Sequence, residues 1–365
     1  MSNLSDIKFW QEKFGVLPLH LNEKAMEERY IMLNGGSSDF CFQTFDENDN
    51  EKLFFEYSWS TNTKNYIVLG EEKIRISNWL EKKTEFIPRK TVEDNIEKFY
   101  KYIVSKSYKT QGDIVPFIID LFRQFRNITL EKRTPSEALT FLFRLLISLD
   151  EDNLEIDNDK WAIDPLEVPP NFEYYVKTLK TGIQNIKPNL DLILRHTSGV
   201  LFQEAHREVL YFDLQKDLFG ASSNKLTIKN DAYSSIHYTP QYIARTIVEN
   251  SLKQLDLGKD QIKILDPSCG SAEFLIETLK QLKSLKYNGK IILRGFDSSE
   301  SAVQTSKFLL NYENRTQWDS TLEFAVKVVE DSLIEDWSND NDLILMNPPF
   351  VSWELLKEKQ SRYNN

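Results

Sequence analysis

The spacing of apolar positions along the chain changes twice, which divides the sequence into three stretches. Between residues 39 and 77 apolar and polar residues alternate, and this period of two predicts short β-strands. The predicted strands are Asp39–Phe45, Phe54–Trp59, Asn65–Gly70 and Lys73–Ser77. The last two flank a turn at Gly70–Glu72. We therefore predict a small β-containing module over residues 1–90.

From about residue 92 to residue 218 the apolar residues recur at intervals of three and four, which is typical of amphipathic helices. Helices are predicted over residues 92–105, 113–125, 135–149, 171–186 and 190–218. The acidic stretch Asp150–Asp157 is predicted to be an exposed loop, and the polar stretch Gly220–Ser235 a linker. This pattern predicts a helical domain over residues 91–220.

After the linker, short apolar runs alternate with helical patterns. Strands are predicted at Ile262–Asp266, Ile291–Phe296, Leu322–Val329 and Asp342–Met346, and helices at Ala272–Leu285 and Ser299–Tyr312. Strands that alternate with helices in this way form the start of a doubly wound parallel sheet. The predicted fold class is therefore α/β, with a mixed α+β and helical region before an α/β domain over residues 236–365.

Composition narrows the classes of function. The chain has two cysteines and four histidines, which excludes a disulfide framework, argues against a metal site and fits a reducing cytoplasm. No run of about 20 apolar residues is present, nor the pattern of a signal peptide. The formal net charge is −11, and the basic clusters Lys82–Lys90 and Arg123–Arg133 are mixed with acids. We interpret both clusters as solvated helix faces, so the main grip on a nucleic-acid substrate is expected to lie elsewhere.

The turn after the first strand of the α/β domain is a candidate ligand site. The sequence there is Asp266-Pro-Ser-Cys-Gly-Ser-Ala-Glu-Phe-Leu275. A glycine turn between a strand and a helix is where an α/β sheet binds nucleotide-like ligands, and Gly270 would let the backbone approach such a ligand. The alternative, an ordinary strand-to-helix turn, is less consistent with this context. The candidate contacts are Asp266, Pro267, Ser268, Gly270, Ala272 and Phe274.

Two acidic positions follow the next two strands. Asp297, followed by Ser298, ends the second strand and could accept hydrogen bonds from both hydroxyls of a ribose. Taken alone, it could equally be a helix cap. Asp331, followed by Ser332, comes after the third strand and could accept from an adenine amino group. Taken alone, this second signal is weak.

The motif Asn347-Pro348-Pro349-Phe350 directly follows the fourth strand. Two prolines fix the backbone and remove two N–H donors, so the loop presents acceptors in a rigid geometry. The side-chain oxygen of Asn347 and the carbonyl of Pro348 could both accept from one exocyclic amino group. That would free the nitrogen lone pair to attack a methyl sulfonium. Phe350 could stack on a base flipped out of a duplex.

Several other candidates have competing interpretations. In Tyr238-Thr239-Pro240, Thr239 suits a helix N-cap and Pro240 a first helical residue, and a cofactor contact is compatible with both. Glu71 and Lys73 have the spacing of the carboxylate and lysine pair of some nucleases. They lie in a predicted hairpin turn and lack a convincing partner aspartate, so a nuclease is disfavoured. His196, Glu204, His206 and Cys269 lack the spacing or the surroundings of a metal site or a nucleophile.

Together these segments resemble the γ-class adenine-N6 DNA methyltransferases, which include type I restriction-modification M subunits and type IIG enzymes. The resemblance covers about residues 236–352. It implies a Rossmann-like domain that binds S-adenosylmethionine through the positions named above, and a catalytic Asn347–Phe350 loop with no metal. Ala272 departs from the usual glycine, and we expect cofactor binding to survive that change. The implied function is methyl transfer to N6 of adenine in double-stranded DNA, within a restriction-modification or phage-defence system.

The resemblance also implies three more strands and a target-recognition region after the catalytic loop. Only 15 residues follow Phe350, and they are predicted to form one polar helix. We therefore expect a further C-terminal region or a separate subunit to complete the domain, and the isolated chain to be inactive. Two alternatives stay open. One is methylation of RNA or of a protein glutamine, and the other is a non-catalytic assembly subunit.

Overall fold

The computed structural model describes residues 4–21, 28–45, 50–129, 135–151, 157–169, 171–210, 215–216, 222–223, 239–315 and 321–348. By compactness the chain divides into two units, Met1–Ala205 and His206–Asn365. The predicted boundaries at residues 90 and 220 remain predictions. No helix within the described ranges is long and apolar enough to cross a membrane.

The first unit begins with a sheet and continues as helices. Its elements are α1 (Ile7–Phe14), β1 (Leu17–His20), β2 (Arg29–Leu33), β3 (Phe40–Gln43), α2 (Glu51–Ser60), β4 (Asn65–Leu69), β5 (Lys73–Asn78), β6 (Lys83–Pro88), α3 (Arg89–Asp94), α4 (Ile96–Ser105), α5 (Ile114–Thr129), α6 (Pro135–Ile147), α7 (Asn158–Trp161), α8 (Phe172–Thr181), α9 (Leu190–His196) and α10 (Ser198–Leu210). Helix α10 runs across the boundary between the units.

The six strands form one sheet in sequence order, from β1 to β6. All neighbouring strands are antiparallel except β3 and β4, which run parallel because α2 connects them. Apolar side chains of the sheet and of the flanking helices share one core, built around Trp10, Phe40, Phe42, Ile67 and Ile74. The predicted β-containing module is thus a mixed sheet, of which β1, β2 and β6 were not predicted.

The predicted strand at Phe54–Trp59 is wrong, because this segment lies within helix α2. The side chain of Asn50 accepts the N–H of Leu53 at 3.4 Å, which caps the start of the helix. Phe54 and Ser58 are both buried one turn apart, and the Ser58 hydroxyl donates to the Phe54 carbonyl at 2.8 Å. A short segment rich in aromatic residues fits both periods, so its sequence alone did not decide between them.

The predicted helices at residues 113–125, 135–149 and 171–186 are present with shifted ends, and the one predicted over 92–105 is two helices, α3 and α4, separated at Asn95. The predicted helix over 190–218 is two helices, α9 and α10, which are separated at Thr197. The Thr197 hydroxyl donates to the Ser60 carbonyl at 3.0 Å and holds the chain at this break. Most of the predicted loop 150–157 and linker 220–235 lies outside the described residues.

The second unit contains an α/β sheet. Its elements are β7 (Gln215–Lys216), β8 (Ser222–Ser223), α11 (Gln241–Leu252), β9 (Gln261–Asp266), α12 (Glu273–Ser284), β10 (Lys290–Asp297), α13 (Glu300–Arg315), β11 (Leu322–Val328) and β12 (Leu343–Ile344). Strands β7 and β8 pair with each other, so part of the predicted helix and linker is a two-stranded ribbon.

Strands β9 to β12 form a parallel sheet in the order β11-β10-β9-β12. This order places β12, the last strand in sequence, beside β9, the first. Buried Ile262 and Ile264 of β9 alternate with half-buried Gln261 and Lys263, so one face of that strand is apolar. The doubly wound α/β domain predicted from the sequence is confirmed by this topology.

Candidate active site

The carboxyl ends of the parallel strands meet at one edge of the sheet and bring the candidate residues together. Asp266 is the last residue of β9, and Asp297 is the last residue of β10. Asn347 lies three residues after the end of β12. The residue directly after β12, Leu345, donates its N–H to the Leu265 carbonyl of β9 at 2.9 Å. The strand order reverses between β9 and β12, and ligands of doubly wound sheets bind in the crevice at such a point.

The turn from β9 to α12 is fixed by bonds to three elements. The N–H of Ser268 donates to Asp266 Oδ1 at 3.1 Å. The N–H of Cys269 donates to the Phe296 carbonyl at 2.9 Å, and the Ser306 hydroxyl of α13 donates to the Gly270 carbonyl at 2.7 Å. Ser306 was not predicted, because it lies far along the sequence on a helix with no motif.

Gly270 has a positive φ of 52°, and no atom lies within 4 Å of the position that a Cβ would occupy. The backbone there adopts a left-handed conformation that glycine tolerates, and it faces open space in which a ligand could approach. Ala272, at the N-cap of α12, also has a positive φ, of 64°, and is fully buried. This conformation explains why glycine suits position 272, and alanine is the smallest side chain that can replace it.

The Asp297 carboxylate is bonded to the same turn. Its Oδ2 accepts the N–H of Gly270 at 2.9 Å, and its Oδ1 accepts the N–H of Ser299 at 2.8 Å. An ionised carboxylate has about four lone-pair sites, so both oxygens keep capacity to accept from a ligand. Burial raises the pKa of Asp297, although these backbone N–H bonds oppose the shift.

Two further acids lie at the turn. Burial raises the pKa of Asp266 to about 7, and the neighbouring Asp297 charge adds to the shift. Burial also raises the pKa of half-buried Glu273 to about 7. Burial, together with the charges of Asp266 and Asp297, raises the pKa of the Cys269 thiol well above its usual value. A thiol held protonated in this way is a poor nucleophile, which fits the sequence interpretation of Cys269.

The hydroxyls of Ser268 and Ser271 are buried and make no hydrogen bond within the described part of the protein. A buried hydroxyl without a partner is unfavourable, so both would be satisfied by a polar ligand in the crevice. With the open space at Gly270 and the remaining acceptor sites of Asp297, they fit a ligand that carries several polar groups. Ser271 lies within the predicted motif but was not among its predicted contacts.

The remaining predicted contacts have mixed environments. Pro267 and Phe274 are buried, and Ser298 is exposed. Asp331 is exposed, and its Oδ1 accepts the N–H of Leu333 at 2.9 Å. The Ser332 carbonyl accepts the Trp337 indole N–H at 2.6 Å. For these five residues, ligand contact therefore remains a prediction.

The Asn347 side chain is bonded to Thr239. Its Nδ2 donates to Thr239 Oγ1 at 3.1 Å. Thr239 therefore does not cap the following helix. The N-cap of α11 is Pro240, with no side-chain capping bond, so the predicted capping role of Thr239 is wrong. The Thr239 hydroxyl is instead available to orient the amide of Asn347.

Helix α11, which begins directly after Thr239 and Pro240, is anchored to α12 by buried polar contacts. Arg245 donates to Glu277 Oε1 at 3.1 Å, and the Glu277 side chain is fully buried. Gln281 donates to the same oxygen at 3.0 Å and to the Arg245 carbonyl at 3.1 Å. Helix α12, which follows the turn after β9, thus fixes helix α11, which begins directly after Thr239 and Pro240.

Three of the predicted site residues, Tyr238, Pro349 and Phe350, lie outside the described residues. The other predicted candidates have ordinary environments. Glu71 and Lys73 are exposed at the β4–β5 turn. His196 Nε2 lies 3.1 Å from the Leu21 carbonyl, and His206 Nε2 lies 3.0 Å from Thr305 Oγ1. Within the described ranges no three His, Cys, Asp or Glu residues are grouped to hold a metal ion.

Residues 216–365 match the family model described as N-6 DNA Methylase. The chain is 29% identical over 133 residues to the Type II methyltransferase M.BanIII of Aneurinibacillus aneurinilyticus, a match that covers 33% of this chain and 22% of the relative. It is 30% identical over 118 residues to the Type I restriction enzyme MjaVII methylase subunit of Methanocaldococcus jannaschii, covering 32% and 18%. The matches thus span about one fifth of each relative.

Among solved structures, a putative class I S-adenosylmethionine-dependent methyltransferase from Listeria monocytogenes has 13% identity and a TM-score of 0.35 over 68% of this chain and 62% of that one. A likeness of this size supports no argument about the site. The sequence match and the order of the motifs along the parallel sheet are independent of it. Residues 216–365, which make up less than half of the chain, are therefore similar to the N-6 DNA methylase family, whose members use S-adenosylmethionine.

Proposed function

We propose that this chain transfers a methyl group from S-adenosylmethionine to N6 of adenine in double-stranded DNA. The observation that carries the proposal is the position of Asn347. It follows β12 at the same edge of the sheet as Asp266, and Thr239 holds its amide. The similarity of residues 216–365 to the N-6 DNA methylase family supports the same reaction.

The bond to Thr239 assigns the two ends of the Asn347 amide to different tasks. Nδ2 donates to Thr239, which leaves Oδ1 to accept a hydrogen bond from the substrate. Oδ1 and the Pro348 carbonyl would then both accept from the exocyclic amino group of adenine. Two acceptors on the amine hydrogens draw the nitrogen out of conjugation, and its lone pair becomes available for attack.

The transfer is a direct displacement. The lone pair of the adenine nitrogen, freed by Asn347 and Pro348, would displace the sulfur from the methyl carbon, and the sulfur would keep the electron pair of the broken bond. The amine then loses one proton to solvent. When bound, S-adenosylmethionine supplies the activated methyl group, and the protein contributes position, orientation and exclusion of water. A stacking role for Phe350 remains a prediction.

The residues at the turn would hold the cofactor. Asp297 keeps acceptor capacity for ribose hydroxyls, and the unpaired hydroxyls of Ser268 and Ser271 line the same turn. Asp266 and Gly270 would contact the methionine end, and Asp331 the adenine amino group. S-adenosylmethionine carries a sulfonium and an ammonium group, so the acids at the turn also match its positive charge.

The biological setting belongs to the same proposal. One relative is named as a Type II methyltransferase, and the other as a methylase subunit of a Type I restriction enzyme. We therefore infer a restriction-modification or phage-defence role, with a further polypeptide region or subunit supplying target recognition. Methylation of RNA or of a protein glutamine is the competing reaction, and no observation on the described residues favours it.

Labelled methyl transfer by the chain, assayed together with the C-terminal region or subunit that completes the domain, tests the proposal, with duplex DNA, RNA and protein offered as substrates. We expect label only in DNA, recovered as N6-methyladenine, and a loss on the order of 10²–10³-fold in Asn347→Ala. Asn250→Ala, an exposed asparagine of α11, is the matched control. Label only in RNA or protein, or full activity of Asn347→Ala, would contradict the proposal.

Calorimetry with S-adenosylmethionine gives a second readout that needs no DNA. Binding should weaken strongly in Asp297→Ala and stay unchanged in Asn347→Ala. Unchanged binding in Asp297→Ala would remove the assigned cofactor role of this carboxylate.

A further inference from the structure

The first unit contains an open cleft of about 590 Å³ that is rich in lysine. Four lysines line it, together with one carboxylate: Lys52, Lys177, Lys180, Lys187 and Glu173. The formal charge of these side chains is about +3, on a chain whose formal net charge is −11. The lining of the cleft is thus positively charged, although the chain as a whole is negatively charged.

Helix α8 sets the direction of two of these lysines. Its residues Phe172, Tyr175, Val176 and Leu179 are buried, which turns Lys177 and Lys180 toward the cleft side. Lys52 comes from the first turn of α2. The cleft therefore joins two helices that are distant in sequence.

The turn after α8 brings Lys187 back to the same cleft, and this turn depends on glycine. Gly182 has a φ of 67°, and a Cβ at this position would lie 1.8 Å from the Ile186 carbonyl oxygen. No other residue fits such a close approach of the backbone. The position of Lys187 is thus fixed by the backbone.

The lysines are only partly neutralised by the protein. Lys52 lies 3.9 Å from Glu56, and Lys180 donates to the Glu151 carbonyl at 3.3 Å. Lys177 and Lys187 are exposed and form no ion pair with a residue that the structure describes. Like charges that converge in one cleft repel each other, so an anionic ligand would bind there favourably.

The character of the lining narrows the ligand. None of the described residues that line the cleft is aromatic, so it offers no surface on which a base could stack. Lysine ammonium groups are mobile point charges that suit phosphates and make little demand on geometry. An open, polar, lysine-lined cleft therefore fits the repeating phosphates of a nucleic-acid backbone better than a single enclosed nucleotide.

We propose that this cleft binds the phosphate backbone of duplex DNA and supplies a sequence-independent grip on the substrate. This inference rests on the proposed function for the choice of DNA. It differs from the expectation from the sequence that the main grip on nucleic acid lies elsewhere. Because the rest of the chain is acidic, such a cleft would also restrict where the duplex can lie.

The test is binding of a short fluorescein-labelled duplex to the full chain, followed by anisotropy at several salt concentrations. The double substitution Lys177→Glu and Lys187→Glu should weaken binding by at least tenfold. It should also lower the slope of log K against log salt by about 2, since each lost phosphate contact contributes about 0.9. The matched control is Lys98→Glu with Lys101→Glu, two exposed lysines of α4 that form no ion pair with a described residue.

The proposal fails if the control weakens binding equally, if the cleft variant binds like wild type, or if the wild-type chain does not bind DNA. Tighter binding of duplex RNA or heparin than of duplex DNA would also overturn it. Calorimetry with S-adenosylmethionine should give the same affinity for wild type and both variants, which shows that their second unit is folded, and an unchanged circular dichroism spectrum shows that the first unit is folded as well. Methyl transfer at saturating DNA is measured separately. Its absence alongside cleft-dependent DNA binding would overturn the proposed reaction and leave the cleft assignment intact.

Discussion

At the scale of single residues, the contact between Thr239 and Asn347 adds a role that the motif alone does not reveal. Sequence patterns place Thr239 before a helix, where a capping role is the simplest interpretation. In the structure the hydroxyl lies 3.1 Å from Asn347 Nδ2, and the helix has no side-chain cap. A free primary amide can present either its oxygen or its nitrogen to a ligand, and this bond selects the oxygen.

We expect Thr239→Val to slow methyl transfer about tenfold, which corresponds to the loss of one hydrogen bond of about 1.4 kcal/mol. Valine keeps the shape of threonine but cannot bond to the amide. Thr239→Ser keeps the hydroxyl and should retain most of the activity. The measurement is kcat at saturating DNA and cofactor. Equal rates for the valine and serine variants would exclude the orienting role.

Asp266 predicts an unusual pH dependence of stability. Its pKa rises on folding from 3.8 to about 7, so the folded protein binds this proton more tightly than the unfolded chain does. The contribution is therefore fully present below pH 4 and is lost as the pH rises toward 7. Asp297, whose pKa is also raised, acts in the same direction.

Denaturant unfolding of wild type and Asp266→Asn at pH 5 and pH 8 measures this effect. The free energy of unfolding of wild type, relative to the variant, should fall between these two values by a few kcal/mol, at about 1.4 kcal/mol per pKa unit. Asparagine keeps the acceptor for the Ser268 N–H but does not titrate. A difference between the proteins that does not change with pH would contradict the assignment.

At the scale of elements, the parallel strands were predictable and the first sheet was only partly so. Strands β9 and β10 are apolar runs bounded by turn residues, and each ends in a candidate site residue, Asp266 or Asp297. In the first unit, the aromatic segment around Phe54 fitted either period. The cap at Asn50 and the packing of the helix decided the outcome, and neither can be seen in the alternation of residue types.

The candidate site residues also fall into those that the sequence predicted and those that it did not. Asp266, Gly270 and Asp297 follow the ends of successive predicted strands, so they were predicted together. Ser306 could not be predicted, because its contact with Gly270 depends on how α13 packs against the turn. The lysine cleft could not be predicted either. Its lysines come from α2, α8 and a later turn, so they do not form a contiguous basic run in the sequence.

The contact between α11 and α12 gives a prediction at this scale. Arg245→Leu would leave the fully buried Glu277 carboxylate without its arginine, although Lys280 Nζ remains 3.9 Å away. We expect a loss of about 2–4 kcal/mol in the free energy of unfolding. The double substitution Arg245→Leu with Glu277→Leu should recover much of that loss, because the arginine and the carboxylate are removed together. Lys280 keeps its interaction with Glu273. Chemical denaturation of the three proteins measures the effect, and a double variant as unstable as the single one would contradict this account.

At the scale of the whole molecule, charge and chemistry are distributed unequally between the two units. The acidic groups at the turn from β9 to α12, such as Asp266, belong to the second unit, and the lysine cleft belongs to the first. A net charge of −11 therefore says little about how the chain meets a polyanion. Average composition led to the expectation that the main grip on nucleic acid lies elsewhere, and the lysine cleft is the basis of the different proposal made above.

The parallel sheet also sorts the connections of the second unit into two groups. Connections that leave the ends of β9, β10 and β12 lie at the edge that carries Asp266, Asp297 and Asn347. Connections that lead into the strands, such as residues 253–260 before β9, lie at the opposite edge. Insertions and deletions between relatives can therefore accumulate at one edge while the spacing of the reactive groups at the other is preserved. The same geometry indicates where a tag or a fused segment can enter this unit with least effect on the reaction.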